Sequence, residues 1–229
     1  MYRVRATTGI ITAMADYLNT ATWARREAFE YFRSFDKPYF NVCVRIDAAP
    51  LKAAVAARGQ SFSLACYFLS LRLANLQAPF RYRLENARVR VFEEVHGSCT
   101  VLRDDESFGF AYLDHTPQWA QFHAQARVAM AATRAREMPF EPRVDLSALL
   151  HFTTLPWLHF TSFSHARNWG REDSVPKLAF GRLQAEGARL WLPVSVEVHH
   201  ALMDGLHLGH YVQALEAAMA EPAPWLGPG

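Results

Sequence analysis

Cysteine is scarce in this 229-residue chain. Cys43, Cys66 and Cys99 are scattered and odd in number, so neither a disulfide framework nor a paired-cysteine zinc site is expected. A reducing cytoplasm is the compartment that fits. Long apolar runs are missing too: Phe62 to Leu76 contains Arg72 and is too short to span a bilayer. The stretch Gly9 to Ala15 behind Arg3 and Arg5 ends at Asp16, too early for a secretory signal, so an unprocessed chain away from membranes is expected. Nor does charge of one sign accumulate. Lys and Arg number 24 against 22 Asp and Glu, a net of +2, which sets nucleic acid aside because phosphate-backbone binding needs concentrated basic charge. Gly-x-Ser-x-Gly, the nucleophile elbow of many serine hydrolases, is absent, which disfavours hydrolysis, and no repeat or low-complexity linker divides the sequence.

What is present is apolar surface. Hydrophobic residues make up 51%, aromatics 13% and charged residues 20%, enough to bury a large core in one domain over 1–229, with an extension over 1–21 and a tail over 221–229. The tail from Pro222 is expected to fray. Thr22 is an acceptable cap for a helix over Trp23–Arg33. Phe40, Val42, Val44 and Ile46 alternate with polar residues as in a half-buried strand. Phe62–Gln77 is apolar all round and reads as a buried helix. Leu84–Val95 and Phe108–Leu113 are strand-like, and Trp119–Met138 is an amphipathic helix. Leu178–Leu183 and Ala188–Val198 are strands joined by a turn over 185–188. In the second of them Leu190, Leu192, Val194, Val196 and Val198 share one face, and Trp191, Ser195, Glu197 and His199 the other. Strands and helices alternate without a βαβ rhythm, so a mixed α/β (α+β) fold is expected.

Chemistry concentrates where the last strand ends. His199-His200-Ala201-Leu202-Met203-Asp204-Gly205 places two imidazoles and a carboxylate ahead of a helix carrying Leu208, Tyr211, Val212, Leu215 and Met219 at helical spacing. A histidine at such a junction can act as a general base near neutral pH, although a lone histidine is more often a surface or satisfied core residue. His200 with Asp204, or His207 with His210, could begin a metal site, but no third and fourth ligand stand at a recognisable spacing and none is expected.

The segment Val198 to Gly209 resembles the active-site signature of the chloramphenicol acetyltransferase family. Thr153-Thr154-Leu155-Pro156-Trp157-Leu158-His159-Phe160-Thr161-Ser162-Phe163 and Trp23 to Arg33 resemble two further blocks of that family, so the resemblance covers about residues 22 to 220. It implies a two-layer sandwich in which a mixed sheet packs against helices, the CoA-dependent acyltransferase fold. It also implies acetyl transfer from acetyl-CoA, as co-substrate, to a hydroxyl. His200 is then the base, Thr153 stands where the family has a serine that donates to the oxyanion, and Asp204 pairs with Arg25 to hold the histidine loop. Tyr31, Phe32, Phe108, Trp157 and Phe163 match acceptor-pocket aromatics, the ordinary alternative for each being core. Arg182 and Lys177 would supply cations to the coenzyme's phosphates. A homotrimer with sites between subunits is implied.

Some positions depart from the family pattern: Ala179 for a threonine, Leu183 for an aromatic beside the adenine, and Asp36 and Pro38 where apolar or small residues are common. The rival readings are a biosynthetic acyltransferase for another alcohol or amine, and a catalytically silent small-molecule or acyl-carrier binding protein.

Overall fold

The computed structural model describes residues 16–136, 147–167 and 172–227. In chain order these form β1 (Asp16–Tyr17), α1 (Arg26–Phe32), β2 (Tyr39–Asp47), α2 (Ala49–Ala56), α3 (Phe62–Leu76), β3 (Tyr82–Glu85), β4 (Arg88–Val91), β5 (His96–Leu102), β6 (Phe108–Leu113), α4 (Trp119–Ala135), β7 (Leu149–Thr154), β8 (Lys177–Phe180), β9 (Gln184–Glu186), β10 (Arg189–His199), α5 (Gly205–Ala220) and α6 (Ala223–Leu226). The main sheet runs β2-β10-β8-β7-β5-β6, with β9 beside the start of β10. Pairing is antiparallel except in the centre, where β8, β7 and β5 are parallel. A small sheet, β1-β4-β3, flanks it. Among the described residues no helix is long and apolar enough to cross a membrane.

Alternation along β10 decides what lies on each face. Leu192, Val194, Val196 and Val198 point into a core shared with Leu64, Phe68, Tyr211 and Leu215 of α3 and α5. Helix α3 is buried nearly all round, as its composition predicts, and Ser61 caps it by accepting the Leu64 N–H at 3.3 Å. Ser195, Glu197 and His199 occupy the opposite face. They too are buried, with Asn41 donating to Ser195, Arg167 and the His165 N–H to Glu197, and the Tyr39 ring against His199. Strand β10 is thus enclosed on both sides.

Several expectations are corrected. Helix α1 begins at Arg26, not Trp23: the Thr22 hydroxyl serves a turn by donating to Asn19 O, and Arg25, the residue before the helix, sends its side chain elsewhere. Leu84–Val95 is not one strand but a hairpin, reversed at Asn86 and Ala87 with φ of 50° and 61°. Glu172 holds that turn by accepting both backbone N–H groups at 2.6 and 2.8 Å. Strands β5 and β7 carried no recognised signal. The tail does not fray at Pro222, because α6 buries Leu226 while Arg58 donates to the Leu226 and Gly227 carbonyls. Met138, the expected end of α4, lies outside the described residues.

Candidate active site

His200 is the first residue beyond β10, and three contacts fix its backbone. Its N–H donates to the Pro38 carbonyl at 2.6 Å. Arg25 donates from Nη2 to the His200 carbonyl at 3.2 Å and from Nη1 to the Ala201 carbonyl at 3.0 Å. The ring lies flat on Phe32, centroids 3.7 Å apart and planes 5° from parallel, with Phe40 at 4.6 Å. Among the described residues Nδ1 is buried and has no hydrogen-bond partner.

Asp204 joins this loop to the next helix. Its Oδ2 takes Arg25 Nε at 3.1 Å, while Oδ1 accepts the Leu206 N–H at 3.1 Å and caps α5. His207 completes the cap, its Nδ1 accepting the Asp204 N–H at 3.1 Å. Partial burial alone would raise the Asp204 carboxyl, but the neighbouring His207 and Arg25 outweigh it and hold it below the usual range. Tyr31 and Phe35 extend the Phe32 patch, with ring centroids 5.0 to 5.3 Å apart, and Tyr31 is 64% exposed.

A second group gathers at the other end of the sheet. Thr153 of β7 is the register partner of Ala179 in β8, which is opposite Ser195 in β10. From Ser195 to His199 is four residues, about 13 Å, and from β7 to β10 is two strand spacings, about 10 Å. Thr153 therefore stands roughly 16 Å from the His200 end of β10 on the same chain. Trp157, 60% exposed, follows β7 at this end, and Phe108, 44% exposed, opens β6 there. A cavity of about 250 Å³ lies beside them, lined by Phe62, Cys66, Thr154, Pro156, Leu183 and the exposed Arg182. Thr154 is engaged with the Tyr67 hydroxyl at 2.6 Å, and Arg182 Nε donates to His159 Nε2 at 2.9 Å. Gly181 keeps the Trp157 segment seated, since a Cβ there would lie 2.9 Å from the Leu158 carbonyl oxygen and 3.0 Å from Pro193 Cγ.

On one chain the expected site residues thus divide into two groups. His200, Arg25, Asp204, Tyr31 and Phe32 share one end; Thr153, Trp157, Phe108 and Arg182 share the other. Phe163 packs on Phe160 at 5.4 Å and on His165 at 4.7 Å. Lys177 is a correction. Its side chain is 11% exposed, and its amino group donates to the Ala166 carbonyl at 2.8 Å and Asp173 at 3.3 Å; it belongs to a buried ionic cluster and does not present a cation to a coenzyme.

A family model described as chloramphenicol acetyltransferase matches residues 15–216. The chain belongs to the chloramphenicol acetyltransferase family. Chloramphenicol acetyltransferase 2 of Escherichia coli is 28% identical over 197 residues, 85% of this chain and 92% of that protein. The chloramphenicol acetyltransferase of Streptomyces acrimycini is 28% identical over 208 residues, 90% of this chain and 94% of that protein. Among solved structures, a chloramphenicol acetyltransferase superposes with a TM-score of 0.79 at 22% identity, covering 90% of this chain and all of the other. The dihydrolipoamide acetyltransferase of Azotobacter vinelandii superposes at 0.64 with 15% identity, covering 88% of each chain. These two likenesses confirm the fold, a mixed sheet packed with helices.

Beyond the family's signature, the structure brings in residues that sequence reasoning missed. Glu197 sits in the buried cluster, 5% exposed. Burial would raise its carboxyl, yet His165 and Arg167 outweigh this and bring it down to about 2. Burial, with the Arg167 charge nearby, pushes His199 down to about 4, so it is neutral at pH 7. Alternation had placed Glu197 and His199 on one face, which was a usable signal. Arg167 had none, because it lies 30 positions from Glu197 along the chain.

Proposed function

We propose that this chain transfers acetyl from acetyl-CoA to a hydroxyl of chloramphenicol or a related small alcohol, with His200 as general base. The observation that carries the reading is the clamped His200 ring with its Nδ1 buried. An alcohol at pH 7 is a poor nucleophile. Nε2 removes its proton as the oxygen attacks the thioester carbonyl, and the imidazolium then returns the proton to the departing CoA sulfur. The Thr153 hydroxyl is the proposed donor to the oxyanion. The cavity beside Thr154, apolar and rimmed by Arg182, suits the coenzyme's pantetheine arm and its phosphates.

The separation of Thr153 from His200 supports a site shared between copies in a homotrimer, each copy supplying His200 to one site and Thr153 to another. Exposed Tyr31 at one end and exposed Trp157 and Phe108 at the other are the surfaces such contacts would cover. The free thiols of Cys43, Cys66 and Cys99 suit a cytoplasmic enzyme.

The test is release of free CoA thiol on mixing the protein with acetyl-CoA and chloramphenicol. No release sinks the antibiotic as acceptor. Asp36 favours a second acceptor class: this exposed carboxylate lies in the loop whose Pro38 carbonyl holds His200, where it would attract a cationic alcohol or amine. A screen of neutral and cationic acceptors with acetyl-CoA and longer acyl-CoAs separates the two. A silent binding protein would give no turnover with any of them.

A further inference from the structure

The outer face of the sheet carries a buried ionic cluster that acetyl transfer leaves without a task. The Arg167 side chain is 3% exposed. Its Nε donates to Glu197 Oε1 at 2.7 Å, and its Nη1 to Asp173 Oδ1 at 3.1 Å and the Val175 carbonyl at 3.0 Å. Lys177 reaches the other Asp173 oxygen. Such clusters are weak ground for stability, since well-packed apolar side chains often do as well or better. Location is the more informative property. The guanidinium lies 4.3 Å over the Tyr39 ring, and Tyr39 meets the His199 ring edge-on at 5.1 Å. Tyr39 and His199 are register partners at the ends of β2 and β10. Pro38, immediately before Tyr39, takes the His200 N–H, and the His199 carbonyl takes those of Leu202 and Met203. His200 therefore projects from a junction that Arg25 grips directly on its carbonyl side and the Tyr39–His199 pair supports on its amide side.

We propose that Arg167 is a positioning residue for His200: held by Glu197 and Asp173, it fixes Tyr39 against His199, and that stack fixes the two strand ends from which the His200 ring reaches Phe32. The inference rests on His200 being the base. An arginine suits the role where a lysine does not, because its planar group stacks on a ring while its edges bond two carboxylates. Displacing a catalytic group by an ångström costs on the order of a hundredfold in rate.

The test compares Arg167→Lys, Tyr39→Leu and the conservative Tyr39→Phe. Each variant is assayed with acetyl-CoA and chloramphenicol, and its histidine ring NMR spectrum is recorded without substrate, with the His200 line assigned by its loss in His200→Gln. Arg167→Lys and Tyr39→Leu are expected to lower kcat by about tenfold to a hundredfold with both KM values within about twofold. In both, the His200 line should move away from its Phe32-stacked position. Tyr39→Phe should stay near wild type in rate and line position. Overturning results are an unmoved His200 line in folded Arg167→Lys or Tyr39→Leu, a change confined to KM, or a Tyr39→Phe as impaired as Tyr39→Leu. Should Arg167→Lys fail to fold, Tyr39→Leu decides alone, since it leaves every charge of the cluster in place. A wild-type protein inert toward chloramphenicol fails that acceptor assignment and leaves the ring spectrum to judge the positioning role.

Discussion

The proposed roles of Thr153 and His200 are the ones easiest to test one atom at a time. His200→Ala is expected to lower kcat by roughly 10² to 10⁴, the usual share of a positioned imidazole, with the fold intact by circular dichroism; full turnover in that variant overturns the base assignment. Thr153→Val, which exchanges the hydroxyl for a methyl at nearly constant shape, is expected to lose about 10² to 10³ in kcat, and Thr153→Ser to retain activity. Equal rates in the valine and serine variants would show that the hydroxyl donates to nothing that matters. At this scale the sequence was informative where partners are close along the chain. The segment from His199 to Gly205 reads as a strand-to-helix junction, and the structure places Asp204 there as the cap of α5. Arg25 is 179 positions from Asp204, and only likeness to the family anticipated the pair. Lys177 misled because a lysine in isolation reads as solvent-facing, whereas Asp173 and the Ala166 carbonyl hold it inside.

Among the elements, the legible strands were those whose two faces differ in polarity. In β10 the alternation of valines with Ser195, Glu197 and His199 marks both the element and the face each residue takes. In β5 and β7, Gly97 and small or polar residues such as Ser98 and Thr153 sit among apolar ones, and the parallel pairing that makes these segments strands comes from distant chain. The β3–β4 hairpin was hidden for a different reason: Asn86 and Ala87 are a poor local signal for a reversal, and Ala87 adopts a positive φ that suits glycine. Ala87→Gly is therefore expected to raise stability by about 0.5 to 1 kcal/mol in urea unfolding, and a loss would mean that Glu172 already relieves the strain. Asp204→Ala should cost about 1 kcal/mol for the α5 cap alone, and more with Arg25 left beside an empty place, read as a lowered thermal midpoint.

For the molecule as a whole, the buried polar face sets a dependence on pH. His199 and His151, the residue of β7 whose Nδ1 lies 2.5 Å from Ser98 Oγ, are each lowered from 6.5 to about 4, chiefly by burial. The unfolded chain protonates them near 6.5, so the stability they confer is complete above that pH and drains away as pH falls toward 4. Glu197, lowered from 4.5 to about 2, adds a further loss only below about 4.5. Urea midpoints should fall most steeply between pH 6.5 and 4; a flat profile there would contradict the buried, neutral state of both imidazoles. The proposed shared site has its own whole-molecule test. Co-expressed His200→Ala and Thr153→Val chains, each strongly impaired alone, should regain turnover in mixed assemblies, because some sites then combine an intact His200 with an intact Thr153. No recovery in purified mixed oligomers would place the complete site within one chain.

The roughly 16 Å between Thr153 and His200 also bears on how little of this protein can work. If neither half acts alone, catalysis vanishes on dilution below the dissociation constant of the assembly, and specific activity measured against protein concentration traces a binding curve. The first molecules made in a cell would then be silent, and turnover would begin only once synthesis had passed that threshold.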